Sequence, residues 1–541
     1  MNQHERDDNQ MAVVKSGLDA ICREMAINLR RSAISSIVRE ARDFSVALTD
    51  AKGEVVAQAE CIPIMTAGIS FALKDLTTLF DISSFTSDDA LIMNDPYSGG
   101  QHLQDIYLFS PIIVDGEVVG FGATTAHHVD LGGMNAGIST QATEVYQEGL
   151  RMPLTRFSVS RDWDAPRGFV RQVIAANVRV PDAVIGDLRA QFAANRTAYD
   201  RLEELMSRYG KRTVQAAMER VKDHSELRFR QAIRDLPDGV YEAEESFDGT
   251  AYGLDRVKVG VRIIIAGDEI EIDLTNSDPQ VKGNVNCPLA STLSSVQSAI
   301  RCCIPVKDLD FNEGCNRPIS VTVPYGSVLN PAPPVAVRSR LTPASRVFNA
   351  VVRALGEANP EMAVATGFDT TTAIAVSNLS DAGRYQVALE ILGGGWGGCE
   401  DHSGADALDN PISNCANAPI EALETDFDHF AIDEYALVDG SEGTGAQTGG
   451  RGIRRIYRAT RDNVVVAGYA DRHQEGPRGI AGGGPGGTGS HRIERSDGTV
   501  EELSTNYEET LNTGDRIVVT TGGGGGFGPP AEHSPQGQSD S

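Results

Sequence analysis

A chain of 541 residues exceeds the size at which one hydrophobic core stops growing, so roughly two to four domains or subdivided layers are expected. Its 40% hydrophobic and 23% charged residues are those of a soluble globular protein, and a net charge of −27 disfavours phosphate backbones and anionic headgroups, which argues against nucleic acid and membrane surfaces as partners. No apolar run reaches the roughly 18 residues of a membrane span, the start MNQHERDDNQ is unlike a secretory signal, and eight cysteines without a CxxC pair fit neither a zinc ribbon nor a disulfide framework, so a cytoplasmic protein is expected.

Residues 1–10 read as a flexible N-terminus. From Met11 to Ser32, the apolar residues Val14, Leu18, Ile21, Met25 and Leu29 recur at three- and four-residue steps, which predicts an amphipathic helix. The text DFSVALTDAKGEVVAQ then predicts two strands turned at Asp50-Ala51-Lys52-Gly53, with Asp43 at the start of the first.

The most informative stretch is residues 94–153. His102 and Asp105 follow Gly99-Gly100, and His127, His128 and Asp130 precede Gly132-Gly133. Between them, IYLFSPIIV and EVVGFGATTA read as two strands joined at Asp115-Gly116, a strong hairpin signal. An ideal ladder from Val114 opposite Glu117 brings both polar clusters to the open end of the hairpin, within reach of one ion. That ladder sets Ala126 opposite Asp105 and puts His128 on the face of Asp105. A single bulge reverses the parity in favour of His127, so spacing leaves the two histidines open. The clustering of imidazoles and carboxylates beside glycines that permit close backbone approach points to a metal or catalytic site.

Between about Gln172 and Ile233, an Ala-, Leu-, Arg- and Glu-rich text broken at Gly210 predicts two or three long helices. After Leu236 the sequence alternates as strands, with a helix around Ser345 to Glu357 and further strands from Ile453 to Tyr469. The expected fold is mixed α/β (α+β) and multi-domain: an α/β metal-site region at 11–160, a helical arm at 161–235, a β-rich region at 236–530 and a disordered tail at 531–541. Glycine clusters near 393–404, 482–487 and 522–526 read as tight turns where backbones approach closely. None continues into the Lys-Ser or Lys-Thr of a phosphate loop, and no dinucleotide fingerprint is present, so no nucleotide site is expected in this chain.

Some polar residues stay balanced between roles. Glu144 and Glu148 share a face if their stretch is helical, and either then assists proton transfer or forms a surface pair. Arg338 and Arg340 suit a carboxylate or phosphate as well as an ordinary ion pair. Cys399, beside Glu400, Asp401 and His402, reads as a structural loop residue, because carboxylate neighbours raise a thiol pKa.

The blocks RRSAISSIVREARDFSVALTDAKGEVVAQ, NDPYSGGQHLQDIYLFSPIIVDGEVVGF, AHHVDLGGMNAG, ATEVYQEGLRMP, NVRVPDAVIGDLRAQ and LNPAPPVAVRSR, with the terminal GGGGGFG, resemble in order those of the hydantoinase B family. That family comprises metal-bearing subunits of N-methylhydantoinase, 5-oxoprolinase, caprolactamase and the acetone and acetophenone carboxylases. The resemblance implies metal ligands at Asp43, His102, Asp105 and His127, leaving His128 and Asp130 as catalytic candidates beside the ligands or facing substrate. Two carboxylates and two imidazoles suit zinc first, with manganese or iron as alternatives. It further implies a hetero-oligomer in which a hydantoinase A-type, actin-like ATPase subunit uses the ATP, which this chain does not bind. The implied activity is hydrolysis of C–N bonds in small cyclic amides; the alternative is an ATP-dependent ketone carboxylase.

Overall fold

The structure, a computed structural model, describes residues 3–530 except 60, 250–251, 254–255, 305, 308, 310 and 369–370. The predicted tail at 531–541 lies outside the described residues. The architecture is mixed α/β, with four sheets among the described residues.

The first helix, α1 (Gln3–Ser32), begins well before the apolar pattern does. Residues 3–10 lie within this helix: charged and amide residues carry no apolar periodicity, yet they propagate a helix readily. A short turn, α2 (Ser36–Arg39), leads to β1 (Phe44–Asp50) and β2 (Val55–Gln58). Helix α3 (Pro63–Leu73) and the turn α4 (Leu76–Leu79) precede β3 (Asp89–Met93), and the predicted hairpin forms β4 (Asp105–Val114) and β5 (Glu117–His127). With β6 (Thr155–Ser158) they make one antiparallel sheet of order β2-β1-β5-β4-β3-β6.

Both faces of that sheet are covered, which is why all of β1 is buried and its alternation is hard to see in sequence. Phe44, Val46 and Leu48 join a core with α1, while Ala47, Phe109 and Phe121 pack with Ile69 and Leu73 of α3. The arm consists of α5 (Phe169–Asn177), α6 (Pro181–Tyr209) and α7 (Lys211–Arg234), with Gly210 at φ +90° between the last two. Gln191 and Asn195 of α6 donate to the carbonyls of Ile106 and Leu108, fixing the helix across the hairpin.

The region after 236 is less purely β than its sequence suggests. A four-stranded sheet of β7 (Gly239–Asp248), β8 (Arg256–Ala266), β9 (Glu269–Asp273) and β10 (Ile319–Thr322) packs on α9 (Leu341–Ala358), which packs in turn on α8 (Leu289–Cys303). Helix α8 escaped the sequence reading because LASTLSSVQSAIRCC is rich in serine and buries small polar residues beside its apolar ones. The short helix α10 (Ile420–Asp426) follows two further strands, β11 (Thr372–Leu379) and β12 (Tyr385–Leu392). The remaining strands are β13 (Phe430–Leu437), β14 (Ile453–Ala459), β15 (Val464–Tyr469), β16 (Ser490–Glu494), β17 (Val500–Leu503), β18 (Asn506–Leu511) and β19 (Arg516–Thr520). They divide into sheets of order β12-β11-β15-β18 and β13-β14-β19-β16-β17, so the predicted 453–469 text crosses from one sheet to another.

Apart from the turn at Ala481 and Gly482, where φ is positive, the glycine clusters form mostly extended backbone. Gly523 and Gly526 donate to Gly487 and Gly484, while Gly395 and Gly398 donate to the carbonyls of Gly522 and Gly525. Bonds to one neighbouring segment thus recur every third residue, the period of a polyproline-II-like helix. Such a bundle seats chains so closely that side chains do not fit: a Cβ on Gly524 would lie 1.7 Å from the Trp396 carbonyl oxygen. Gly524→Ala is accordingly expected to lower stability by roughly 3 kcal/mol in urea unfolding. Gly498→Ala, at φ +90° but with open space around its Cβ, loses about 1 kcal/mol.

Candidate metal centre

The parity left open by the sequence is decided by one residue. In the hairpin Ile113 pairs with Val118, but Ile112 pairs with Gly120, so Val119 is bulged out of the ladder. Every later pair shifts by one: Ile106 faces Ala126, and Asp105 faces His127. The bulge therefore places His127 beside Asp105. The neighbouring strand reinforces the arrangement, since Phe44 pairs with Ala126 and the His127 amide donates to the Asp43 carbonyl at 3.0 Å.

His102 arrives from a loop that glycine makes possible. Gly99 has φ +109°, and a Cβ on Gly100 would lie 2.8 Å from the backbone of Asn94 and Asp95. The loop closes on the strand through the Asp105 amide, which donates to the His102 carbonyl at 3.1 Å. His102 Nδ1 then lies 2.9 Å from Asp105 Oδ2, and the His102 and His127 rings are 5.0 Å apart, near perpendicular. One donor atom from each of His102, Asp105 and His127 falls within 4.8 Å of the other two, and all three residues are buried.

The electrostatics suit a cation. Burial, with Arg340 next, pushes the His102 imidazole down to about 3, and burial with Arg338 takes His127 well below its ordinary value. Both rings are therefore neutral and keep a lone pair near pH 7. Burial alone would raise Asp105, but His102 and Arg340 hold its carboxyl well below the usual range. His102 Nδ1, His127 Nδ1 and Asp105 Oδ1 are buried without a hydrogen-bond partner; the 2.9 Å contact lacks hydrogen-bond alignment. Two neutral imidazoles and a carboxylate with unused donor atoms converging on one point fit a divalent ion.

Asp43 stands at the edge of this group. Its backbone anchors His127, but its carboxylate is not part of the triad within 4.8 Å. Burial, then the charge of Asp105, pushes the Asp43 carboxyl up to about 8. Arg340 donates to Asp105 Oδ2 at 2.6 Å and to Gln101 Oε1 at 2.9 Å, so of its two balanced roles the structure shows the ion pair. Arg338 is fully buried beside it.

His128 and Asp130 are placed elsewhere. His128 projects from the opposite face of β5, where its Nε2 meets Gln191 Oε1 of α6 at 3.1 Å. Asp130 accepts from the Arg179 amide at 2.6 Å and from Arg179 Nη1 at 3.0 Å, a pair that ties down the loop after β5. Strand alternation explains the first and the arginine pair the second; neither joins the triad. Glu144 and Glu148 share no helical face, because only a single 3₁₀ turn separates them. Glu144 is exposed, whereas Glu148 is buried and accepts from the amides of Val337 and Arg338, holding the arginine segment in place. Cys399 lies in a loop, its amide bonded to the His402 carbonyl at 2.9 Å.

The sequence reading missed two neighbours of Asp43. Burial, then the charges of Asp43 and Asp409, pushes the Cys415 thiol well above its ordinary value, and Asp409 accepts from the Cys415 amide at 2.8 Å. No local pattern in NPISNC announces this, since the contacts join segments more than 360 residues apart.

Comparison with known proteins adds independent findings. The family model for hydantoinase B/oxoprolinase matches residues 7–530. A protein of Pseudomonas sp. strain NS671, provisionally named as the B-type component of a D-/L-hydantoinase, is 31% identical over 550 residues, covering 98% of this chain and 91% of its own. The beta chain of caprolactamase from Pseudomonas jessenii is 29% identical over 545 residues, covering 97% and 91% respectively. The crystal structure of the ATP-dependent caprolactamase from that organism superposes with a TM-score of 0.89 at 27% identity, over 96% of this chain and 90% of that one. A nucleotide-free acetone carboxylase structure superposes equally well, TM-score 0.89, over 98% of this chain and 77% of that one; at 17% identity it shares the fold.

Two outcomes follow from this geometry. His102→Ala is expected to lose bound divalent metal in elemental analysis after dialysis, whereas His128→Ala retains it and only weakens packing on α6. Burial pushes the Glu148 carboxyl up to about 8 from its ordinary 4.5, so the folded chain holds a proton there that the unfolded chain releases. Its contribution to stability thus falls as pH rises between about 4.5 and 8, and Glu148→Gln flattens that part of the urea-unfolding profile.

Proposed function

The chain belongs to the hydantoinase B/oxoprolinase family, and we propose that it is the metal-bearing subunit of an ATP-dependent hydrolase of small cyclic amides: hydantoins, 5-oxoproline or lactams. The observation that carries this reading is the buried His102, Asp105 and His127 triad in a chain whose family match runs from residue 7 to 530. The relatives named as subunits support a heteromeric assembly. We assign the ATP-using role to a hydantoinase A-type, actin-like partner, consistent with the lack of a phosphate loop in this sequence.

A cyclic amide resists water because nitrogen donates its lone pair into the carbonyl. Transfer of the ATP γ-phosphoryl group to the amide oxygen by the partner removes that protection. Water then adds at the activated carbon and the ring C–N bond breaks as the nitrogen takes a proton, leaving an acyl phosphate; a second water cleaves this to the open-chain acid and phosphate. In this chain His102, Asp105 and His127 hold the divalent ion, zinc in the first instance, with Asp43 as the fourth ligand. Such an ion supplies a Lewis acid for oxygen and acidifies water near neutral pH.

The protein's own groups set up those conditions. Arg340, itself held by Gln101 Oε1, fixes one oxygen of Asp105, leaving the other free for the ion. The burial of His102 and His127 keeps both rings unprotonated, so protons do not compete for them across the neutral range. Burial, then the charge of Asp105, raises the Asp43 carboxyl above its ordinary value, while Arg340 and Arg338 act against that rise.

The test is phosphate release and ring-opened product from the purified pair of subunits on hydantoin, 5-oxoproline and ε-caprolactam, with acetone or acetophenone plus bicarbonate alongside. Turnover of a cyclic amide, reduced by at least about 100-fold in Asp105→Asn, is expected. Incorporation of bicarbonate into a ketone, without amide hydrolysis, would instead make the chain a carboxylase subunit.

A further inference from the structure

One charge beside the metal centre has no counterpart. Arg338 is 2% exposed, and its side chain makes a single hydrogen bond, from Nη2 to the Gly137 carbonyl at 3.4 Å; no carboxylate of the described residues pairs with it. Its neighbour Arg340 is spent on Asp105 and Gln101. Glu148 meets the Arg338 segment only through the amides of Val337 and Arg338, and burial pushes its carboxyl up to about 8, so it offers little negative charge near neutral pH.

A buried cation without a partner costs several kcal/mol, and an apolar side chain of similar size in its place is the more stable choice. Water supplies hydrogen bonds to such a group but no opposite charge. Arg338 therefore weakens the chain as it stands, as residues kept for a ligand do.

A second unspent donor stands with it. Tyr469, the last residue of β15, is also buried, and its hydroxyl makes no hydrogen bond among the described residues. Burial pushes this phenol up to about 12, with Arg338 and Arg340 pulling it down and Asp43 and Asp409 adding to the rise, which sets the hydroxyl among those four groups. The Arg338 Nε is sealed from water, whereas Nη1 of Arg338 and the Tyr469 hydroxyl, equally unpartnered, are not. The carboxyls around them have other tasks: Asp105 is held by Arg340, Asp409 by the Cys415 amide, and Asp43 belongs to the ligand set proposed above. A guanidinium edge and a phenol are the donors that suit the oxygens of a small anion.

We propose that Arg338 and Tyr469 form an oxyanion-binding site beside His102, Asp105 and His127, which takes inorganic phosphate or a phosphoryl group through Arg338 Nη1 and the Tyr469 hydroxyl. That the anion is a phosphoryl species rests on the function proposed above; that it is an anion rests on the unpaired guanidinium. The site holds the phosphoryl end of the acyl phosphate, and then the released phosphate, next to the triad.

The test uses the full chain dialysed against a chelator, so that no metal offers phosphate another seat. Inorganic phosphate is expected to bind saturably in calorimetry and to raise the urea-unfolding midpoint. Arg338→Met, which removes the unpaired charge, is expected to unfold at higher urea than the unmutated chain without phosphate, and to lose the phosphate shift; a general salt effect would survive in it. Arg338→Lys, which keeps the charge but not the planar fork, weakens phosphate about tenfold, and Tyr469→Phe about fivefold. Arg353→Gln, at a guanidinium already paired with Glu245, leaves phosphate binding unchanged. A midpoint lowered by Arg338→Met, which is the signature of a structural role, an undiminished phosphate affinity in a folded Arg338→Met or Arg338→Lys variant, or no saturable binding by the unmutated chain would each overturn the proposal. Acetate bound as tightly as phosphate would overturn the phosphoryl assignment. Phosphate binding that depends on Arg338, without cyclic-amide turnover by the assembled subunits, removes the hydrolase and leaves the site; turnover undiminished in Arg338→Met does the reverse.

Discussion

An ionised carboxylate that is fully buried is tolerated only where charge and hydrogen bonds compensate it, and Asp105 is such a group. It sits at the first residue of β4, opposite His127, beside His102 and against the guanidinium of Arg340. Remove that compensation and the neighbourhood loses its reason for existing: the glycine-bent loop that delivers His102, the bulge that turns His127 inward, and the arginine segment that Glu148 holds in place. The fold brings these together from four separate stretches of chain. Arg340 alone lies 235 residues from its partner.

The division of labour within the molecule follows from that constraint. Helix α6 closes one face of the hairpin and occupies His128 through Gln191, so the two adjacent histidines have opposite duties set by strand alternation. Helix α3 covers the other face and packs on α8, which packs on α9, and the glycine bundle lies elsewhere in the fold. There Trp396 links the bundle to the loop of Asp409 and Cys415. Family membership accords with this arrangement, since the matched family model runs from residue 7 to 530 and so spans every element named here.

Much of the N-terminal layer was legible in the residues. Periodicity located α1, the Asp-Gly pair located the hairpin turn, and the polar clusters at its open ends located the triad. The one-residue register was not legible, because Val119 looks like any apolar strand residue and only the three-dimensional ladder shows that it is skipped. Resemblance, not spacing, pointed to His127. Further along, α8 hid behind serines that pack internally, and GGGGGFG read as turn chemistry although its lack of side chains serves an extended, three-residue repeat. The contacts of Arg340, Asp409 and Cys415 had no local signature, since pairing across hundreds of residues is a property of the fold.

The central claim is that His102, Asp105 and His127 grip one divalent cation. Anomalous diffraction from crystals of the protein, with data collected on both sides of the zinc edge and then the manganese and iron edges, tests it most directly. The account predicts a single strong peak per chain within about 2.0–2.3 Å of a nitrogen of each imidazole and an oxygen of Asp105. A map in metal-replete crystals with no peak there, and with the His102 and His127 rings hydrogen-bonded to protein or water instead, would contradict it.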